Sequence, residues 1–412
     1  MDVLALPATA LAGLLAELAR EHHVPGAQLA VRHGGRTVSA GYGVETHGGE
    51  AAVTEATAFP LGSLTKPFTA TLAAMLADDG DLTFDGPLPG GVEGVTLRGL
   101  LSHTSGLAAD GDVRHPAVLR VGRAFSYSNL GYELVGRLVG QVTGMTWWEA
   151  VEELLLTPLG IEASYATGRR TGRRTATGHS VHPATGRVVP VAQEQETPGQ
   201  APSGALALSA TDLVTLARLH LADPDLPVLL DRRTLHELRE DQLAGIEIGP
   251  YGLADGWCLG WSAHHRDGLD WYGHDGTGEG TSCHLRFEPS QRTVVALTTN
   301  ADTGLALWRD LTERLALHGI APGDHRPLAG SGPPVAPPPG CTGTYVNGGS
   351  AFEVTSGGGG LCLRSAGPIT CYRGGVFEIG EGHAGRFITL GGDIDLIQVS
   401  GRLARRAGSP GA

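Results

Sequence analysis

Leu11, Leu14, Leu15 and Leu18 recur at helical spacing, interrupted by Glu17 and Arg20, and predict an amphipathic surface helix near the start of the chain. Gly26 to Val31 and Arg36 to Tyr42 then read as two strands of a hairpin turned at Gly34-Gly35. Phe68 to Leu76 is Ala-rich and mostly apolar, the pattern of a helix buried nearly all round. Asp81 to Asp112 is loop-rich, and Tyr132 to Val142 and Thr146 to Leu155 read as two short helices. Ser209-Ala210-Thr211-Asp212 resembles a capping box opening a helix to about Leu221. Gly252 to Ser262, Leu269 to Gly273, Thr281 to Phe287 and Thr293 to Thr299 predict strands of one antiparallel sheet, closed by a helix from Leu305 to Leu317.

The pattern then changes. Gly330 to Gly340 is mostly Gly and Pro, a semi-rigid linker. Beyond it, short apolar runs separated by glycines (Thr344-Tyr345, Phe352 to Val354, Leu361 to Leu363, Phe377 to Ile379, Phe387 to Thr389, Ile394 to Val399) predict a small antiparallel barrel or sandwich. The expected division is residues 1–325, a linker at 326–340, and a β-domain at 341–412. The length of 412 residues agrees, being too great for one core.

Composition narrows the function. A net charge of −13 argues against nucleic acid or an acidic membrane surface as a partner. The first residues carry no basic leader and no apolar run is long enough to span a bilayer, so a cytoplasmic protein is expected. The five cysteines are odd in number and lack metal spacing, which fits reduced thiols; Cys362 and Cys371 are the pair that a hairpin could bring together. No His-x-x-x-His pair occurs among the 17 histidines, so no metal and no cofactor are expected.

Of the 30 basic residues, 29 are arginine; the single lysine is Lys66, one helical turn after Ser63. Arginine keeps its proton under almost all conditions, whereas a buried lysine can release one, so a lone lysine beside a serine suggests proton chemistry. The serine hydroxyl needs such a base to become a nucleophile. Tyr127-Ser128-Asn129, in a turn before a helix, adds a phenol and an amide; a phenol beside a cation can itself act as base. His274-Asp275-Gly276-Thr277-Gly278 follows a predicted strand, and its glycines would let a backbone N–H approach a reacting carbonyl.

In this order the three motifs resemble the serine β-lactamase and penicillin-binding protein superfamily, its class C-like branch in particular. Phe59 to Lys66 looks like the nucleophile motif, Leu101 to Leu107 like a structural loop in which His103 is not catalytic, Ala201-Pro202-Ser203-Gly204 like a mid-chain loop, and Tyr272 to Gly276 like the third motif. The resemblance implies an α+β fold: an antiparallel sheet flanked by helices, with a helical subdomain and the active site between them. It implies that Ser63 is acylated, that Lys66 and Tyr127 share its proton, and that Asn129 orients substrate or lysine. Ser63 and Thr277 would donate the two oxyanion N–H groups, with Asp275 and Gly276 beside the substrate. His274 stands where many β-lactamases carry a lysine. A neutral histidine cannot hold the carboxylate next to a penicillin amide and suits an ester or thioester instead. No deacylating glutamate motif of the class A type is visible.

Within the superfamily the chain is most similar to penicillin-binding-protein-type thioesterases, the surugamide-cyclase-like peptide macrocyclases. The shared features are the early serine, Tyr-x-Asn, the histidine of the third motif, and a lipocalin-like β-domain after a linker. That likeness implies a monomer taking a peptide from a carrier protein or another thioester and closing it head to tail. A serine esterase or D-aminopeptidase-like hydrolase, with water resolving the acyl-enzyme, is the other reading; a binding-only relative is disfavoured by intact Ser63, Lys66 and Tyr127. Strand alternation puts Arg402 and Arg406 on one face of the last strand and Arg405 on the other. Arg405 or Arg406 could hold a substrate carboxylate by a two-pronged hydrogen bond, or the cluster could simply be solvated. Arg169, Arg170, Arg173 and Arg174 form either a docking patch for an acidic carrier domain or a surface loop.

Overall fold

The structure is a computed structural model that describes residues 7–89, 92–111, 122, 124–166, 172–192, 197–243, 245–246, 253–325, 332–357, 360–364, 366–379, 383–389 and 394–408. Its contacts divide it into two compact units, Met1–Leu82 with Val135–Glu240 and Ala263–Asp324, and Thr83–Leu134 with Asp241–Ser262 and His325–Ala412.

In the first unit, α1 (Ala8–Glu21) buries Leu11, Leu14, Leu15 and Leu18, as their spacing predicts. The hairpin is β1 (Gly26–His33) and β2 (Arg36–Gly43). Ser63 lies in a 3₁₀ turn, Gly62–Thr65, that runs into α2 (Lys66–Asp78). Pro67 is tolerated there because its missing N–H would be unbonded in a first helical turn. The expected capping box is present: Ser209 and Asp212 bond each other's backbone N–H at the start of α3 (Ala210–His220). Four further strands, β3 (Ser262–Arg266), β4 (Leu269–Gly278), β5 (Thr281–Glu288) and β6 (Thr293–Thr299), precede α4 (Gly304–Ala316). The sheet runs β2-β1-β6-β5-β4-β3, with β1, β2, β4, β5 and β6 paired antiparallel in that order.

Alternation decides which residues face which layer. Ala27, Leu29, Val31, Val295 and Leu297 point to one side and pack with α1 and α4 around Trp308 and Leu311. Residues of the opposite parity meet α3: Gln28 Oε1 accepts from the Ala210 N–H at 2.9 Å, and Phe287 lies beside His220. That second side also carries the Ser63 turn, since the Thr281 hydroxyl donates to the Pro60 carbonyl at 3.1 Å.

Three local readings change. The strand expected to stop at Gly273 continues to Gly278, because Gly280, at φ +70°, makes the reversal into β5; His274, Asp275 and Gly276 are therefore strand residues. Gly252 to Ser262 is not one strand: Gly260, at φ +83°, turns the chain so that the Cys258 N–H bonds the Trp261 carbonyl. After a capping box at Thr146 and Glu149, the short helix Trp147–Ala150 passes into a π-helix, Val151–Leu156.

In the second unit, eight strands close a barrel: β7 (Gly343–Asn347), β8 (Ser350–Gly357), β9 (Gly360–Leu363), β10 (Gly367–Cys371), β11 (Val376–Ile379), β12 (His383–Thr389), β13 (Ile394–Val399) and β14 (Arg402–Arg406). Closure pairs Tyr345 with Arg406 and removes both sheet edges. This is the lipocalin-like domain, and among its described residues Tyr345, Phe377, Phe387, Ile397 and Ala404 pack into one hydrophobic core. Linker residue Val335 donates its N–H to the Cys371 carbonyl at 2.8 Å and so lies along the barrel. All five cysteines are free; Cys362 faces Pro368 across its hairpin, not Cys371.

Asn347, fully buried in β7, ties the barrel to segment 83–134. Its Oδ1 accepts from the Ala109 N–H at 2.7 Å and its Nδ2 donates to the Leu403 carbonyl at 2.6 Å. Asn347→Ala strands two buried backbone groups, and urea unfolding should show a loss of about 2–4 kcal/mol.

Candidate active site

Ser63 is placed by a close approach of two backbones. Gly62 has φ +51°, and a Cβ there would sit 2.2 Å from the Thr277 carbonyl oxygen. A Cβ on Gly276 would sit 1.9 Å from the Leu61 carbonyl oxygen and 2.8 Å from the Leu64 nitrogen. Only glycine fits at both places, and the result is that β4 runs directly along the turn that carries Ser63. This is the arrangement that an oxyanion site built from the Ser63 and Thr277 N–H groups needs.

Lys66 is fully buried, and its Nζ donates to Ser63 Oγ at 3.1 Å and to the Ser203 carbonyl oxygen at 2.8 Å. Burial of an ammonium is costly unless it is bonded, and these two acceptors hold it against the Ser63 hydroxyl. The Ser203 carbonyl is a Lys66 partner that side-chain reading missed; its only signal was the Ala201-Pro202-Ser203-Gly204 motif. That segment is anchored to α2, since Thr69 Oγ1 donates to the Pro202 carbonyl at 2.7 Å and Thr65 Oγ1 accepts from the Leu206 N–H.

His274 shares the β4 face with Gly276. Its Nδ1 lies 2.6 Å from the Asp275 carbonyl oxygen, which can only accept, so Nδ1 carries the proton and Nε2 the lone pair. Its pKa is pushed down to about 3, first by burial and then by the Lys66 ammonium, against a weaker pull from Asp275. The ring is thus a neutral acceptor at working pH.

Asp275 points to the other face and is not a substrate contact, a correction that strand alternation explains. Its carboxylate accepts two bonds from Arg286, at 2.7 and 2.8 Å, and one from His284 at 2.7 Å. His284 stacks flat on Trp308 of α4, with the Arg286 guanidinium over the same ring. Burial opposes its charge, but Arg286 and His284 hold its pKa well below the usual carboxylate value.

The second unit holds the remaining candidates. Tyr127 is buried against His103, ring centres 4.2 Å apart, and against Trp257 at 5.9 Å. His103 is structural as expected: its Nδ1 accepts the Ser128 N–H at 3.1 Å. Asn129 Nδ2 donates to Asp110 at 2.8 Å, and its Oδ1, buried, has no hydrogen-bond partner among the described residues. Arg406 is not a substrate ligand. It donates to the carbonyls of Gly340, Thr342 and Ile394 and lies over Tyr345, pinning the linker's end to the barrel. Arg405 sits half-buried on the last strand, paired in register with Val346 and Leu396. Of the four-arginine cluster, Arg173 is tied to the Ala56 and Glu162 carbonyls and to Asp212, and Arg174 to Glu45, so neither is a mobile patch. Arg169 and Arg170 lie outside the described residues. Among the described residues no helix is long and apolar enough to cross a membrane.

A family model described as Beta-lactamase matches residues 11–320. Penicillin-binding protein 4 of Amycolatopsis lactamdurans is 34% identical over 330 residues, 72% of this chain and 86% of that protein. The chain belongs to the β-lactamase and penicillin-binding protein superfamily. Members of this superfamily are serine acyl-transfer enzymes, in agreement with a buried lysine on a serine hydroxyl. Among solved structures of the superfamily, SurE is 36% identical with a TM-score of 0.84, covering 97% of this chain and 98% of its own. SurE with D-Leu is similar at 35% identity and a TM-score of 0.82. The D-amino acid amidase of Ochrobactrum anthropi SV3, at 21% identity and a TM-score of 0.61, shares the superfamily fold over 75% of this chain.

Two outcomes follow from the geometry. Lys66→Arg should keep the circular dichroism spectrum but slow acylation of Ser63, followed by intact-protein mass, by about 10²–10⁴-fold. His274 and His220 are both buried with pKa about 3, against 6.5 for an ordinary histidine. Below about pH 6.5 the unfolded chain binds protons that the folded one does not, so their contribution is complete above that pH and is lost as pH falls toward about 3. The urea midpoint should drop over that window, and less steeply in His274→Gln.

Proposed function

We propose that this chain is a stand-alone penicillin-binding-protein-type thioesterase that takes a nonribosomal peptidyl thioester onto Ser63 and releases it as a head-to-tail macrolactam, with hydrolysis as a side reaction. The observation that carries the reading is the likeness to SurE, which extends at 36% identity over 97% of the chain, β-domain included. The SurE structure with D-Leu fits a site that handles D-configured peptide ends.

In this reading Lys66, once in its neutral amine form, accepts the Ser63 proton, with Tyr127 as the second group that shares it. Ser63 Oγ attacks the thioester carbonyl, and the oxyanion is held by the Ser63 and Thr277 N–H groups. The carbon–sulfur bond breaks and the thiolate leaves with the proton. The peptide's own amine then attacks the Ser63 ester, loses a proton to the same relay, and restores the serine as the amide forms. One side chain beside the Ser63 turn suits an amine: His274 Nε2 is an acceptor, matched to an N–H donor and unsuited to a carboxylate. The substrate would arrive on a peptidyl carrier protein or as a small thioester mimic. A serine esterase or D-aminopeptidase-like hydrolase remains the second reading, favoured by the fold shared with the D-amino acid amidase.

The test is product analysis by mass after incubation with linear peptidyl thioesters that end in D or L residues. Cyclic peptide, lost in Ser63→Ala, is the expected result; linear acid alone from every peptide offered would transfer the assignment to the hydrolase.

A further inference from the structure

The barrel's last hairpin grips the tyrosine motif. Between β13 and β14 the chain reverses at Ser400-Gly401, with φ +45° and +76°. A Cβ on Gly401 would lie 3.1 Å from Leu253 and 3.5 Å from Phe125, so the turn is seated closely on the residues around the motif. The Tyr127 N–H donates to the Gly401 carbonyl at 2.9 Å, and the Leu403 N–H donates to Ser126 Oγ at 3.2 Å. Between these two bonds stands Arg402, its guanidinium carbon 5.0 Å from the centre of the Tyr127 ring.

We propose that Arg402 is a positioning residue for Tyr127, and that the β13–β14 hairpin makes the β-domain a working part of the serine chemistry. The inference rests on the reading that Tyr127 shares the Ser63 proton. A guanidinium is charged at every working pH and is drawn to the face of an aromatic ring. It is drawn more strongly once the phenol has become a phenolate, so it favours the deprotonated form. Burial of Tyr127 keeps water from screening that effect. Among the described residues of the second unit, the titratable groups facing Tyr127 include His103 from the loop before it, Tyr132 from the helix after it, and Arg402 from the barrel; the proposed relay adds Lys66. Of the first three only Arg402 carries a fixed charge.

The sign of the effect is defined. Without the cation Tyr127 holds its proton to higher pH, and the acid limb of acylation moves upward. The experiment measures single-turnover acylation of Ser63 by p-nitrophenyl acetate, which has no carboxylate for an arginine to bind. The full-length protein is used from about pH 5 to about pH 10. Arg402→Gln should acylate about tenfold more slowly near neutrality, with the limb about one pH unit higher, and recover at alkaline pH. Arg402→Lys should keep most of the wild-type profile. An unshifted limb in Arg402→Gln overturns the inference, whether the rate is unchanged or lowered equally at every pH. A rise in KM for peptide thioesters with an unshifted limb also overturns it, and makes Arg402 a substrate contact. Tyr127→Phe separates the two ideas: a normal rate there removes the tyrosine's role altogether, whereas a lost rate beside an unshifted Arg402→Gln limb removes only the inference.

Discussion

The chemistry of the first unit depends on one backbone-to-backbone approach, that of the turn Leu61-Gly62-Ser63-Leu64 to the strand at Gly276-Thr277. Two glycines permit it, one with a left-handed φ and both with no room for a side chain. From that contact follow the seat of Ser63, the direction in which α2 leaves it, and the burial of Lys66 one turn later. The strand residue two before Gly276 is His274, so the same approach sets the neutral ring on the face that carries the serine.

Charge in this region is sorted by sheet parity. One face of β4 offers a neutral acceptor and a glycine. The other holds a carboxylate clamped by Arg286 and His284 against Trp308. Alternate residues of one strand therefore serve opposite needs, and the ion cluster behind the sheet fixes the strand whose front edge meets the nucleophile. Buried ion pairs are weak evidence for stability, and registry is their better attested use.

How much of this was legible in the sequence depended on whether the signal was local. Ser63, Lys66 and Tyr127 stand in short motifs that together carry the family resemblance, from which their expected roles come, and the α1 and α3 helices were written in leucine spacing and a capping box. The Ser203 carbonyl was not legible, because every residue has a backbone oxygen and only the fold says which one meets an ammonium. The same holds for Arg406, whose partners are three carbonyls from distant segments. Asp275 is a different kind of miss: its neighbour His274 was taken as a site residue, and period-two alternation already placed the two on opposite faces. The expected strand ends at Gly273, two residues short of Asp275, so that rule was not applied to the pair.

The Pro/Gly stretch invites a view of the chain as two cassettes joined by a cord, open to being cut or exchanged. The grip of the last hairpin on Ser126 and Tyr127 makes that view misleading for residues 83–134. The loop bearing a proposed catalytic tyrosine takes one backbone partner from the far end of the polypeptide. A family that varied its β-domain freely would be re-tuning its own tyrosine each time. On the proposal made for Arg402, a substitution in the barrel near Gly401 would reach Tyr127 through one backbone bond and one ring contact.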